Sequence, residues 1–108
     1  MWNEKKLDKT LDYYDRPILY TSRYNDELYL ICLFDDFYDS NDIRTEKWLN
    51  CLITEEELAS MNLEDERNYI LVHNLYKTRK SFVVITKHSG EYFDSYYPSE
   101  KEIGEVFT

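Results

Sequence analysis

The chain is poor in the residues that break regular structure and in those that carry most enzyme chemistry. Its 108 residues include two glycines, two prolines, two cysteines and two histidines. With only Gly90 and Gly104 it has no phosphate-cradling glycine loop, no dinucleotide fingerprint and no Gly-x-Ser-x-Gly elbow. His73 and His88 fall in different elements, and neither stands at paired ligand spacing with another His or Cys, so no metal centre is expected. Cys32 and Cys51 sit inside the apolar runs LYLICLF and KWLNCLI, where a free thiol behaves as a small hydrophobe. Two cysteines make no disulfide framework, although a bridge between adjacent strands stays open at this point. Neither lies in an electropositive helix start, and the three glutamates after Cys51 would raise a nearby thiol pKa, so no activated nucleophile is expected. The simplest setting is reducing and cytoplasmic. The opening MWNEKKLDKT lacks the apolar core of a signal peptide, and no later run approaches membrane-spanning length.

Basic residues are also scarce. Thirteen Lys and Arg against 22 Asp and Glu leave a formal charge of −9. Duplex DNA, RNA and anionic lipid bind mainly by exchanging counterions for Lys and Arg, so this balance argues against all three. It favours long-range attraction to a basic protein surface. What the chain does have is a hydrophobic content of 43% and an aromatic content of 17%, which are globular values. With no linker, repeat or low-complexity tract, residues 1–108 read as one domain enclosing a single modest core.

The hydrophobic pattern predicts strands over Ile18–Arg23, Glu27–Phe34, Lys47–Ile53, Ser81–Lys87 and Tyr92–Tyr97. Tyr24-Asn25-Asp26 reads as the turn of an antiparallel hairpin, and His88-Ser89-Gly90-Glu91 as a second turn. DDFYDSNDIRTE reads as a polar loop. On the second strand Leu28, Leu30, Cys32 and Phe34 share one face and Tyr29, Ile31 and Leu33 the other, which predicts an interior strand. Thr54 with Glu57 forms a capping box that starts a short helix over Thr54–Met61. Asn62 is the expected cap of a second helix. Glu64, Asp65 and Glu66 lie at its start and Lys77, Arg79 and Lys80 at its end, and its mostly apolar stripe runs through Leu63, Arg67, Ile70, Leu71, Asn74 and Leu75. A competing reading makes Tyr69–Val72 a buried strand. Ser99 and Glu102 repeat the capping spacing and predict a C-terminal helix through Phe107. The sum is an α+β domain: a mostly antiparallel sheet of four to five strands with two or three short helices on one face.

The opening YYDRPILY, the strand ELYLICL and the run WLNCLITEEELASMNLEDE resemble a family of small bacterial domains of unknown function. That family opens with a Tyr-Asp-x-Pro-Leu-Leu-Phe-like strand and runs a later strand into a Ser/Thr-Glu-Glu-x-Leu helix. The likeness covers roughly Leu11 to Glu66 as a pattern. Arg16 stands where a small residue is usual, and the acidic loop is longer. The resemblance implies the fold and a bacterial or phage setting, and no activity.

The recurrent feature is tyrosine beside carboxylate: Tyr13, Tyr14 and Asp15; Tyr24 and Asp26; Asp35, Asp36, Tyr38 and Asp39; Tyr92, Asp94, Tyr96 and Tyr97. A tyrosine gives a large ring and a hydroxyl at low entropic cost, and a flanking acid suits an arginine-rich partner. These thirteen residues are the expected partner-binding set. The run Asp35, Asp36, Asp39, Asp42 lacks the glycine and terminal glutamate of a calcium loop and reads as solvated, so no metal and no cofactor is assigned. No pair of carboxylates stands out as differently tuned, so no catalytic residue is assigned and an enzyme is not expected. The preferred reading is a protein-binding factor of the inhibitor, immunity or anti-defence type that occupies a basic surface, such as that of a nuclease or other nucleic-acid-binding protein. The alternatives are an assembly module that dimerises through a sheet edge or apolar face, and a small-ligand or metal-regulated sensor.

Overall fold

The computed structural model describes residues 7–14, 16–79, 83–97 and 101 of the chain. Along them run β1 (Leu7–Tyr13), β2 (Pro17–Tyr24), β3 (Glu27–Tyr38), β4 (Arg44–Leu52), α1 (Glu55–Ala59), α2 (Arg67–Arg79), β5 (Val83–His88) and β6 (Glu91–Tyr96). The strands form one antiparallel sheet in sequence order, β1 through β6. The tight turns have local causes. Asn25 and Asp26 both take positive φ, as a two-residue hairpin requires, and Ser89 and Gly90 repeat this between β5 and β6.

The expected antiparallel sheet with helices is present, but six strands replace four to five. The added strand is β1, which lies in a segment with no strand pattern. It is held by pairing with β2 and by one fully buried side chain, Leu11. The acidic stretch read as a loop is largely strand: Asp35–Tyr38 continue β3 and pair with Arg44–Lys47, leaving a short turn between. Asp39 closes that turn by accepting from the amides of Asn41 and Ile43, at 2.8 and 3.0 Å.

The capping box forms as predicted. Thr54 accepts from the Glu57 amide at 3.1 Å, and Glu57 accepts from the Thr54 amide at 2.8 Å. α2 starts five residues later than its expected cap. Asn62 is tied instead to the buried Asn68, whose amide donates to the Asn62 carbonyl at 2.7 Å. Asp65 caps the start by accepting from the Arg67 amide at 2.9 Å. The buried stripe therefore follows Asn68, Val72 and Leu75, and Leu63 and Ile70 of the expected stripe are exposed. Tyr69–Val72 lie within α2, so the strand alternative fails. Ser81, Phe82 and most of the expected C-terminal helix lie outside the described residues.

Both helices cover one sheet face. Leu58, Met61, Val72 and Leu75 pack there with Leu11, Leu19, Leu30, Leu49 and Val84. β1 is joined to this layer by Tyr69, whose hydroxyl donates to Asp12 at 2.5 Å, and by the Glu64 amide, which donates to the Leu11 carbonyl at 2.7 Å. Cys32 faces Leu49 and Cys51 faces Leu30, so the thiols are diagonal neighbours and both are free. Burial, with a smaller contribution from Asp12, pushes the Cys32 thiol up to about 12. The opposite face holds a smaller cluster of Ile31, Trp48 and Ile85, flanked by Tyr20, Tyr29, Leu33 and Val83. Among the described residues no helix is long and apolar enough to cross a membrane.

Candidate functional site

Antiparallel order sends alternate turns to opposite ends of the sheet. The β1–β2, β3–β4 and β5–β6 turns share one end, and the β2–β3 turn lies at the other. Eight of the predicted partner-binding residues fall on or beside the three-turn end: Tyr13, Tyr14, Asp35, Asp36, Tyr38, Asp39, Tyr92 and Asp94. Tyr24 and Asp26 sit at the opposite end, with the terminus of β6 that carries Tyr96 and Tyr97. Tyr96 is half-buried and packs against the helix-side core. Asp15 lies outside the described residues.

The three-turn end is aromatic and exposed. Tyr14 is 76% exposed, Tyr38 67% and Tyr13 55%, large values for side chains of this size. Three residues the sequence reading passed over join them: Phe37, Ile43 and Phe93. The signal for two was present in the sequence, since Phe37 lies inside DDFYD and Phe93 inside EYFDSYY. Phe93 stacks on His88 with ring centres 4.0 Å apart. β3 carries part of this surface beyond β2, because the β2 register ends at Leu19–Cys32. Five inter-strand gaps of ~4.8 Å separate β1 from β6, so the surface is roughly 24 Å wide.

Its acids divide into two sets. Asp36 is engaged within the protein: Arg44 donates to it at 2.8 and 3.1 Å and Arg16 at 3.3 Å. The Arg44 hydrogen bonds and the charges of Arg44 and Arg16 hold its carboxyl below the usual carboxylate range. Asp39 shapes its own turn. Asp35, Glu91 and Asp94 are exposed, and no ion pair among the described residues holds them.

A second feature lies on the sheet face away from the helices. Trp48, on β4, meets Tyr20 edge to face at 5.9 Å. The Arg16 guanidinium and the Lys87 ammonium each lie 5.6 Å from the indole centre. Arg16 also pairs with Glu46, which is only 3% exposed. Burial first, and Glu46 second, raise the Tyr20 hydroxyl above its usual pKa. Sequence reading placed KWLNCLI in a core strand and missed this arrangement, because it joins residues from β4, β5 and the approach to β2. Among the described residues no group of three or more His, Cys, Asp or Glu side chains is placed to hold a metal ion. In comparisons with known proteins, no family model, curated protein or solved structure matches this chain.

Proposed function

We propose that the protein is a non-enzymatic, acidic protein-binding factor that covers a basic surface on a partner. An inhibitor, immunity or anti-defence role, of the anti-CRISPR or anti-restriction kind, in a bacterial or phage cytoplasm fits this chemistry. The observation that carries the reading is the gathering of exposed Tyr13, Tyr14, Tyr38 and Phe93 at one sheet end with the unpaired acids Asp35, Glu91 and Asp94. Rings of this kind supply contact area and stack on arginine, while carboxylates on a chain of charge −9 steer the encounter. A surface that binds nucleic acid presents arginines spaced for phosphates, and carboxylates can occupy the same positions. Asp36, already neutralised by two arginines, is a scaffold residue in this reading.

The test is recovery of a specific partner from bacterial lysate by the wild-type protein and by Asp35→Asn/Glu91→Gln/Asp94→Asn. Raising salt from about 0.1 M to about 1 M shortens the screening length from about 10 Å to about 3 Å. Recovery by the wild type should fall steeply over that range, and the triple variant should already bind about tenfold or more weakly at the lower salt. A partner retained equally at both salts and by both proteins would remove the electrostatic basis of the reading.

A further inference from the structure

Two hollows adjoin Trp48 on the face away from the helices. The larger, of about 270 Å³, is bounded by Leu7, Arg16, Pro17, Tyr20 and Trp48. The smaller, of about 10 Å³, lies between Tyr20, Trp48, Asn50 and Lys87 over a floor of Ile31 and Ile85. Tyr20 and Trp48 border both, so the two spaces are neighbours across the same pair of rings. Trp48 is 6% exposed, and its buried Nε1–H meets no acceptor among the described residues. A buried donor left in this state costs free energy, and an incoming acceptor recovers it. Lys87 adds a positive charge, and among the described residues no carboxylate lies within ion-pair distance of its ammonium. The Asn50 amide is already oriented, since it donates to the Trp48 carbonyl at 3.2 Å.

We propose that these hollows form a binding site for a small carboxylic acid with a flat, apolar body. The smaller space is on the scale of a single water-sized centre, which suits one carboxylate oxygen and no larger group. That oxygen accepts from Trp48 Nε1–H and lies beside the Lys87 ammonium, a charge-assisted arrangement. The body occupies the larger hollow, against Leu7, Pro17 and the rings of Tyr20 and Trp48, as apolar walls with few polar groups favour. Arg16 borders that space but is held by Asp36 and Glu46, so Lys87 supplies the discriminating charge. The site is separate from the aromatic turns proposed to meet a protein partner, and each stands or falls alone.

The experiment follows the Trp48 indole N–H by proton–nitrogen NMR, its signal told apart from that of Trp2 with Trp2→Phe. Titration with benzoate should move the signal saturably, and benzamide, equal in shape but uncharged, should not move it. Acetate, which lacks the body, should bind more weakly than benzoate. Lys87→Met should weaken benzoate binding about tenfold or more while melting within a few degrees of wild type. Should that variant fail to fold, Leu7→Ser at the exposed rim should weaken benzoate a few-fold and leave acetate unchanged. The proposal is overturned by an indole signal that stays still at millimolar benzoate, as it would if the N–H only meets water. It is equally overturned by matching responses to benzoate and benzamide, by acetate binding as well as benzoate, or by Lys87→Met binding like wild type.

Discussion

Glu46 shows how single residues set the electrostatics of the uncovered face. It is 3% exposed, pairs with Arg16, and stands across the β4–β5 register from Lys87. A carboxylate at that depth is tolerable only while a cation answers it. Arg16→Met should therefore destabilise the fold by roughly 3 kcal/mol, because it leaves a buried charge unanswered, and Arg16→Met/Glu46→Gln should recover much of that loss. Urea unfolding of the two single variants and the double variant gives the coupling directly. Asp65 sets a different dependence. Hydrogen bonds from the Arg67 side chain and backbone lower its carboxyl to about 2. A depressed carboxylate contributes stability that is present above its unfolded pKa of about 3.9 and is lost as pH falls toward the folded value. The melting-temperature gap between wild type and Asp65→Asn should hence be constant above about pH 5 and close between about pH 4 and 2. A gap that widened on acidification would contradict the assignment.

At the scale of elements, legibility followed how local the cause was. The α1 cap involves residues three apart, so Thr54 and Glu57 announced it, and Thr54→Ala should cost about 1 kcal/mol in urea unfolding. The β2–β3 turn was equally local, resting on Asn25 and Asp26. β1 was not legible, because within Leu7–Tyr13 only Leu11 is buried and the pairing with β2 is interrupted by register shifts. Its strand character comes from the neighbouring β2, and from the Glu64 amide and the Tyr69 hydroxyl, both distant in sequence. If β1 belongs to the core, Leu11→Ala should cost about 2–5 kcal/mol, as for other filled sites. A loss below about 0.5 kcal/mol, the usual size for a surface change, would make β1 an ornament of the sheet. The outer part of β3 was hidden for another reason: Asp35 and Asp36 read as loop until the register brings Arg44 and Lys47 alongside.

For the whole molecule, two surfaces carry different chemistry, and the sequence exposed them unequally. The tyrosine and carboxylate pairs were visible as a recurrent mixture. Their division between the two ends of the sheet was not, because it depends on strand order: Tyr14, Tyr38 and Tyr92 belong to one end, and Tyr24 to the other. The Trp48 face was invisible for the same reason, since Arg16 and Lys87 meet the indole only once β3 sets β2 one strand away from β4 and β5 pairs with β4 on its other side. The three-turn end is the surface we propose for docking of a basic protein. The direct measurement is position-resolved photo-cross-linking in bacterial lysate, with a benzophenone amino acid placed in turn at Tyr14, Tyr38, Phe93, Tyr24 and Ile70. One discrete adduct is expected, common to positions 14, 38 and 93, lost at high salt, and formed with a protein whose contacting surface is basic. Adducts arising chiefly from Tyr24 or Ile70, or unchanged by salt at every position, would contradict that proposal.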